Sequence, residues 1–392
     1  MDCRVTHWTQ ISAVGAGRAT LHRALGQRAS GLIRNNFPLS EIDTWIGRVD
    51  GVESVSFAGE TEWASRNNAL AELGLLTDDF ARQVEPLIER FGATRVGVIV
   101  GTSTSSIGQT EEAFRHLDEG RFPVAFRQPL VHNPHSPGAY VAHRLGLQGP
   151  QLTISTACAS SARVFASAWR WLQAGIVDAV VVGGVDSLCH SVLGGFASLE
   201  LTSKSPCRPF DAERDGINLA EAAGFAIVLP ASAAPADAVR LAGYGETSDA
   251  FHMSQPAPGG EGALRAMRAA IARAGISGAD IDYVNTHGTA TKANDKAESE
   301  ALAAVLGADT LVSSTKGWTG HALGAAGILE SVIALDALTT GQVPGTLNLE
   351  HRDPEVAYPV ITDNTETDAR YVMTNSFGFG GSNCSLVFGR AA

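Results

Sequence analysis

The chain has 392 residues, of which 44% are hydrophobic and 18% charged, and this predicts a globular protein with a large buried core. Its formal net charge of −12 argues against general nucleic-acid binding, because phosphate backbones repel an acidic surface. The N-terminal segment lacks the apolar core of a signal peptide. No run of about 18 uncharged apolar residues occurs either, so we expect no membrane span and a cytoplasmic location.

Cysteine usage also indicates a reducing compartment. The five cysteines are scattered along the chain, at Cys3, Cys158, Cys189, Cys207 and Cys384. Because no Cys-x-x-Cys pair occurs, we predict neither a zinc site nor a disulfide framework.

Strand and helix patterns alternate along the chain. Short apolar runs that are rich in β-branched residues and bounded by glycine indicate buried strands. The predicted strands are 4–6, 95–101, 152–155, 179–183, 224–229, 239–244, 283–285, 311–314, 371–374 and 385–388. The predicted helices are 18–25, 61–91, 164–172, 261–274, 296–306 and 323–340. This alternation predicts an α/β protein built in layers.

The two halves of the chain resemble each other in the order of their elements. Three pairs of segments correspond: 98–104 with 284–291, 152–158 with 311–316, and 226–229 with 385–388. An Ala/Pro-rich surface connection at 231–237 separates them. We therefore predict a duplicated α/β unit with halves 1–235 and 236–392, and with chemistry at the carboxyl ends of equivalent strands.

Cys158 is the candidate nucleophile. It lies between a strand-like run and a helical run, so it is expected at a helix N-terminus, where the helix dipole and free N–H groups favour the thiolate. A thiolate can carry an acyl group as a thioester. The alternative is a buried structural thiol, which is what many free cysteines are.

Two downstream motifs add polar groups. Asn285-Thr-His-Gly-Thr-Ala-Thr-Lys places His287 at a strand end, with the Thr289 and Thr291 hydroxyls nearby. Ser313-Ser-Thr-Lys-Gly-Trp-Thr-Gly-His starts a helix rich in small residues, which is expected to pack deeply. We therefore expect that Lys316 and Glu330, which flank His321 in the sequence, are not idle surface charges.

A third motif, Asn375-Ser-Phe-Gly-Phe-Gly-Gly-Ser-Asn, is glycine-rich and carries apolar side chains. A bendable loop with a phenylalanine at its tip is what a gate over a pocket needs. Each motif alone has a structural alternative: a hydrogen-bonding histidine, a solvated lysine or an ordinary turn. Their combination with Cys158 favours a catalytic site.

Together these motifs resemble the β-ketoacyl-acyl carrier protein synthases of the elongating type. The segments that carry the resemblance are Ser155-Thr-Ala-Cys158-Ala-Ser-Ser, Arg208-Pro-Phe-Asp-Ala-Glu-Arg-Asp-Gly216, Asn285-Thr-His287-Gly-Thr-Ala-Thr, Lys316-Gly-Trp-Thr-Gly-His321-Ala-Leu-Gly-Ala-Ala-Gly and Asn375-Ser-Phe-Gly-Phe-Gly-Gly-Ser-Asn383. The resemblance implies the thiolase fold, in which duplicated α/β halves form α-β-α-β-α layers.

The resemblance also implies a division of labour. Cys158 would accept the acyl chain as a thioester, and malonyl-carrier protein would then lose CO₂. His287 and His321 would support decarboxylation and stabilise the enolate that attacks the acyl group. Lys316, ion-paired to Glu330, would set the geometry and charge of the histidines. Backbone N–H groups of Cys158 and the gate residue would hold the tetrahedral oxyanion.

Further site residues follow from the same resemblance. The gate is Phe379 flanked by Gly378 and Gly380. The predicted pantetheine contacts are Thr289, Thr291 and Ser254, the predicted acyl-pocket residues are Thr104 and Phe196, and Asp295 and Glu298 would support the site structurally.

The implied partners are an acyl carrier protein and a second ketosynthase-like chain. Substrates would arrive on the carrier's phosphopantetheine, with no separate cofactor and no metal. The chain would form a homodimer, or a heterodimer with a homologue of the chain-length-factor type. An acidic carrier needs a basic docking surface, for which the candidates are Arg66, Arg121, Arg127, Lys204 and Arg208, although Glu200 lies where some relatives are basic.

Departures from housekeeping synthases indicate a specialised pathway. Ser65-Arg-Asn-Asn68 and the hydroxyl-rich turn at 101–106 resemble ketosynthases of aryl-polyene and related type II polyketide pathways. Two alternatives stay open. One is a non-decarboxylating thiolase, which would need a second catalytic cysteine near the C-terminus, where Cys384 is the candidate. The other is a chain-length-determining partner subunit, which would lack the nucleophile that Cys158 supplies.

Overall fold

The computed structural model describes residues 2–391. Its strands are β1 (Cys3–Ser12), β2 (Gly15–Ala16), β3 (Leu32–Arg34), β4 (Trp45–Gly47), β5 (Val96–Gly101), β6 (Gln151–Ile154), β7 (Ala179–Asp186), β8 (Leu219–Ala220), β9 (Ala222–Pro230), β10 (Val239–Ser248), β11 (Tyr283–Asn285), β12 (Leu311–Ser313), β13 (Gln342–Val343), β14 (Thr365–Glu366), β15 (Tyr371–Gly378) and β16 (Ser382–Gly389).

Helices connect these strands, and short 3₁₀ turns lie between them. The helices are α1 (Arg18–Gly26), α2 (Arg66–Leu76), α3 (Phe80–Phe91), α4 (Ile107–Arg115), α5 (Ser136–Arg144), α6 (Ser160–Gln173), α7 (His190–Ser198), α8 (Glu261–Ala274), α9 (Lys292–Ala303), α10 (Lys316–Thr319) and α11 (Ala326–Thr340).

The main sheet has the same strand order in both halves of the chain. It runs β6-β5-β7-β9-β1 and continues as β10-β16-β15-β11-β12, with β2 beside β1. Read from either outer edge, the first two pairings are parallel and the rest antiparallel. Strand β5 therefore corresponds to β11, β6 to β12, and β9 to β16, as the segment pairs in the sequence indicate.

Helices cover both halves of the sheet and also fill the space between them. Helices α6 and α11 contact each other and strands of both halves, whereas α2, α3 and α5 cover only the first half and α8 covers the second. This gives an α-β-α-β-α arrangement, which confirms the predicted layers. The central position of α11 explains its composition, since all of its residues from Ala326 to Leu338 are buried.

The same central helix has the length and apolarity of a membrane span. Among the described residues 2–391, Leu323–Thr340 is the one segment that meets both criteria, and 89% of it is buried inside the protein. Such burial is typical of a core helix.

Several element boundaries differ from the sequence-based prediction, and three of these differences have a clear cause in the structure. The helix expected over 61–91 is broken into α2 and α3, because Asp78 and Asp79 adopt positive φ between them. Helix α9 begins at Lys292 rather than at 296, since the Thr291 side chain caps it. Strand β1 is longer than predicted, because it pairs with β9 on one side and β10 on the other.

Candidate active site

Cys158 lies where β6 turns into α6, beside the glycine-rich loop after β15. The preceding Ala157 has a φ of 51°, a left-handed conformation that turns the chain sharply before the helix. The loop backbone approaches so closely that a Cβ on Gly378 would lie 2.8 Å from the Thr156 oxygen. The Phe379 N–H donates a hydrogen bond to the Cys158 thiol. The structure therefore brings the predicted nucleophile and gate residue together.

Burial controls the ionisation of Cys158, which is only 5% exposed. It raises the thiol pKa to about 11, against the lowering effects of the Lys316 charge and of the Phe379 N–H. The expectation that the helix N-terminus favours a thiolate is therefore wrong for the resting site, because loss of solvation outweighs the helix field. We therefore expect the Cys158 thiol to be neutral at physiological pH.

This neutral thiol gives a pH dependence that can be measured. Because the thiolate is the reactive form, we expect alkylation of Cys158 by iodoacetamide to accelerate by about tenfold per pH unit between about pH 7 and 9.5. Mass spectrometry of digested protein would give the rate for each cysteine, with the four other buried cysteines as internal controls. A rate that levels off below about pH 8 would contradict the raised pKa.

His287 and His321 lie next to each other and to the thiol. Their ring centroids are 5.3 Å apart and the rings are perpendicular. The Cys158 sulfur and one ring nitrogen of each histidine all lie within 4.8 Å of one another. Burial lowers the pKa of both imidazoles well below its usual value, and the Lys316 charge lowers it further. Both rings are therefore neutral at physiological pH.

Contacts on the far side of each ring decide which nitrogen carries the proton. The Leu323 N–H donates to Nδ1 of His321 over 3.0 Å. The Lys316 ammonium lies 3.4 Å from Nδ1 of His287, and an ammonium can only donate. With Nδ1 accepting, the proton of each neutral ring is on Nε2. Both histidines can thus donate a hydrogen bond into the site.

These protonation states also bear on metal binding. A cysteine and two histidines are a donor set that a metal ion could use, but ligation would require a lone pair on Nε2. The resting tautomers place a proton there instead. The arrangement is better suited to stabilising an oxyanion than to holding a metal.

Lys316 and Glu330 form an ion pair behind the histidines, with side chains 1% and 3% exposed. The Lys316 ammonium also donates to the backbone oxygen of His287. Burial raises the pKa of Glu330 to about 7, while the Lys316 charge acts in the opposite direction. Oε2 of Glu330 has no hydrogen-bond partner among residues 2–391. The ion pair therefore holds His287 in place, although one oxygen of the Glu330 carboxylate is left without a hydrogen bond.

A second carboxylate supports the loop that carries His287. Glu298 on α9 accepts hydrogen bonds from the backbone N–H groups of His287 and Gly288, over 2.9 and 2.8 Å. Burial raises its pKa to about 7. One turn earlier, Asp295 contacts the buried guanidinium of Arg214 at 3.4 Å. Both acidic residues therefore lie where a structural role was expected.

The site opens to solvent through a cavity of about 670 Å³. Cys158 and the two histidines line it, together with Thr289, Thr291, Ser254, Phe196 and Phe379. The two threonine hydroxyls are 2.9 Å apart, and the Phe196 and Phe379 rings stack with centroids 5.5 Å apart. The predicted pantetheine contacts and one predicted acyl-pocket residue thus share this cavity. The exposed hydrophobic side chains Leu199 and Met253 lie on segments at its mouth.

Thr104 does not line the cavity that contains Cys158. It lines a separate cavity of about 260 Å³ that does not include Cys158. Its hydroxyl donates to Asp186 over 2.7 Å, so the hydroxyl is turned into the protein. The hydroxyl protons of Thr102, Ser103 and Thr104 are therefore used within the protein.

The candidate docking cations also differ in their availability. Arg66 is held between Glu53 and the fully buried Glu221, so its charge is neutralised within the protein. Arg208 lies 3.4 Å from Glu213 at the mouth of the large cavity. Arg66 therefore offers no free positive charge to an acidic partner, whereas Arg208 forms only a loose pair with a largely exposed carboxylate.

Sequence reasoning missed three residues of the site. The ring of Phe377 packs edge-on against His287, with centroids 6.0 Å apart. Arg214 forms ion pairs with Asp295 and Asp353. Asp186 accepts hydrogen bonds from Thr102, in the turn after β5, and from Gly324, which lies between His321 and α11. Only its place at the end of a buried apolar strand could have drawn attention to it.

The fold and site define a thiol-dependent acyltransferase of the thiolase-like class. A buried cysteine faces two neutral histidine donors and a backbone N–H, and a cavity leads from this group to solvent. These parts suit the formation and attack of a thioester.

Comparison with known proteins gives the family. The N-terminal domain of β-ketoacyl synthases matches residues 69–234, and their C-terminal domain matches residues 238–350. The chain is 35% identical to 3-oxoacyl-[acyl-carrier-protein] synthase 2 of Staphylococcus aureus, over 76% of this chain and 75% of that protein. The chain belongs to the β-ketoacyl synthase family, which confirms the resemblance seen in the sequence.

Solved structures agree over the whole chain. The ketosynthase ApeO of Xenorhabdus doucetiae, solved in complex with its chain length factor ApeC, matches with a TM-score of 0.90 and 33% identity, covering 100% of this chain and 98% of that one. A β-ketoacyl synthase from Burkholderia phymatum matches with a TM-score of 0.87 and 28% identity, with 100% of both chains covered. The predicted thiolase-like fold is therefore confirmed.

Proposed function

We propose that this protein is a β-ketoacyl-acyl carrier protein synthase, which joins malonyl-carrier protein to an acyl chain held on Cys158. The observation that carries this proposal is the approach of the Cys158 sulfur and the two neutral imidazoles to within 4.8 Å. The sulfur can hold the acyl chain as a thioester, while the two imidazoles stabilise an enolate beside it.

In the first half-reaction, the Cys158 thiol attacks the carbonyl carbon of an acyl-carrier protein. The tetrahedral oxyanion is stabilised by the backbone N–H groups of Cys158 and Phe379. Collapse of this intermediate breaks the carbon–sulfur bond to pantetheine, and the departing sulfur takes the proton that the thiol loses. The products are an acyl-Cys158 thioester and the free carrier protein thiol.

In the second half-reaction, malonyl-carrier protein enters the same cavity. Breaking the bond to its carboxylate releases CO₂ and leaves the electron pair as an enolate. Nε2–H donors of His287 and His321 stabilise the enolate oxygen, so no strong base is needed. The enolate carbon then attacks the acyl-Cys158 carbonyl, and uptake of one proton returns the Cys158 thiol. The chain leaves on the carrier two carbons longer, as a 3-oxoacyl thioester.

Substrate delivery is assigned to phosphopantetheine, with no separate cofactor. The name of the curated relative specifies acyl-carrier-protein substrates. Thr289, Thr291 and Ser254 line the same cavity as the reacting groups, and their hydroxyls could bond the amides of a pantetheine arm that enters it. Phe379, stacked on Phe196, is the proposed gate between the arm and the acyl chain.

We also propose a dimer, with either a second copy or a homologous chain-length subunit as the partner. The ApeO ketosynthase was solved with such a subunit. Strand β6 ends the sheet, and no strand within residues 2–391 pairs with its outer edge. Exposed hydrophobic side chains cluster on the segment before it, at Ile107, Phe114, Leu117, Val124 and Leu130. A catalytic subunit fits better than a chain-length subunit, because the nucleophile and both histidines are present.

Two further assignments belong to this proposal. The division of the chain into 1–235 and 236–392 is supported by the strand order, since one set of five equivalent strands ends at Pro230 and the other begins at Val239. Its outer ends, residues 1 and 392, lie outside the described residues. A polyene or polyketide pathway in the cytoplasm is proposed from the sequence features.

Intact-protein mass spectrometry after incubation with acyl-carrier proteins tests the function. We expect wild-type protein to gain the mass of one acyl group and Cys158→Ala to gain none, because its side chain has no nucleophile. Carriers loaded with saturated, polyene or aryl-polyene chains would show which pathway the site serves. If no donor acylated the wild type, or if Cys158→Ala were acylated equally, the proposed mechanism would be wrong. Preference for saturated chains alone would exclude the polyene pathway.

A further inference from the structure

The carboxylate of Asp186 has an unusual set of contacts. It lies at the end of β7 and is fully buried, and no Lys or Arg forms an ion pair with it within residues 2–391. Six groups donate to it instead: the hydroxyls of Thr102, Ser103 and Thr104, and the backbone N–H groups of Ser103, Thr104 and Gly324. A buried carboxylate is stable only with such compensation, so these donors are held firmly in place.

One of these contacts reaches the loop that carries His321. The Gly324 N–H donates to Asp186 over 2.6 Å. A Cβ on Gly324 would lie 2.6 Å from the same carboxylate oxygen, so only glycine allows this approach. The preceding Leu323 has a φ of 55°, which is strained for a leucine. Such a conformation persists only where neighbouring contacts impose it.

The strained conformation of Leu323 also fixes the orientation of the His321 imidazole. With Leu323 in this conformation, its N–H points at Nδ1 of His321 over 3.0 Å. We infer that Asp186 is a positioning residue for His321, holding the turn at 323–325 so that the ring presents Nε2–H to the cavity. This inference rests on the proposed function for its effect on turnover, but the geometry it describes is independent of that function.

The other end of the network lies in the opposite half of the chain. The turn at 102–104 follows β5, the strand equivalent to β11, which carries the His287 loop. It also lines the smaller cavity. Asp186 thereby joins that cavity wall to one of the two histidines, beside a longer direct contact of 3.3 Å between the Gly324 N–H and the Ser103 hydroxyl.

Asp186→Asn keeps the shape of the side chain but removes the charge and one acceptor. We expect acylation of Cys158 near the wild-type rate and CO₂ release from malonyl-carrier protein lowered by about 100-fold, which is the scale of a misplacement of about 1 Å. Thr104→Val removes a single donor and should lower CO₂ release by less. Thr310→Val is the matched control, since its buried hydroxyl bonds the Ile281 oxygen away from the site.

A second readout does not need turnover. In ¹⁵N-histidine NMR, wild-type His321 should show a protonated Nε2 and an accepting Nδ1, and Asp186→Asn should shift both nitrogens toward a mixture of tautomers. Thr104→Val gives the same comparison if Asp186→Asn fails to fold. An unchanged His321 spectrum in the variants would overturn the inference, as would equal losses of acylation and CO₂ release. If the wild type showed the spectrum but no turnover, the proposed function would fail and the inference would stand.

Discussion

His287→Ala is expected to lower the rate of CO₂ release from malonyl-carrier protein by about 10²–10³-fold, the usual effect of removing one preorganised oxyanion donor. Acylation of Cys158 should continue at a similar rate, because its oxyanion is held by backbone N–H groups of Cys158 and Phe379. Single-turnover assays would separate the two steps, with mass spectrometry for acylation and labelled malonyl-carrier protein for CO₂ release.

His287→Gln provides the matched variant. A glutamine amide carries N–H donors at a similar reach, so it should recover part of the activity that alanine loses. His351→Ala, at an exposed histidine that does not line the cavity, controls for the loss of an imidazole. Equal activity of the alanine and glutamine variants would argue against a donor role. A loss of acylation as large as the loss of CO₂ release would show that His287 acts earlier than proposed.

The strands and layers could be read from the sequence because their signals are local. Runs such as 95–101 and 179–183 are apolar, β-branched and bounded by glycine, and they form buried strands of the main sheet. The correspondence of the halves was also visible, since it depends on order and spacing. The break between α2 and α3 was not, because Asp78 and Asp79 adopt positive φ with no glycine or proline to mark it.

Prediction of the site from the sequence was limited in the same way. Cys158, both histidines and the gate loop stand in motifs, so their approach could be predicted from equivalent strand ends. The thiol pKa could not, because it depends on how completely neighbouring segments exclude water. Nor could the orientation of the Thr104 hydroxyl, which is decided by Asp186 from a strand more than 80 residues away. Residues that act through contacts between distant segments leave no pattern of their own.

The ion pair of Lys316 and Glu330 gives the largest expected effect on stability. Lys316→Met or Glu330→Met alone should lower the free energy of unfolding by about 3–5 kcal/mol, because each leaves an unpaired ionisable group in the core. Denaturation by urea would measure this. The exposed pair of Lys296 and Glu355 is the matched control, with side chains 43% and 63% exposed, and its variants should lose no more than about 1 kcal/mol.

The double variant Lys316→Met/Glu330→Met separates stability from catalysis. Two apolar side chains of similar size need no partner, so the double variant should be more stable than either single variant. Condensation should not return with stability, since the ammonium that holds the backbone oxygen and Nδ1 of His287 is gone. A double variant that regained both would show that the pair serves only the fold. Stability without activity would show that a buried ion pair with an unsatisfied carboxylate oxygen is kept for the geometry it imposes on His287.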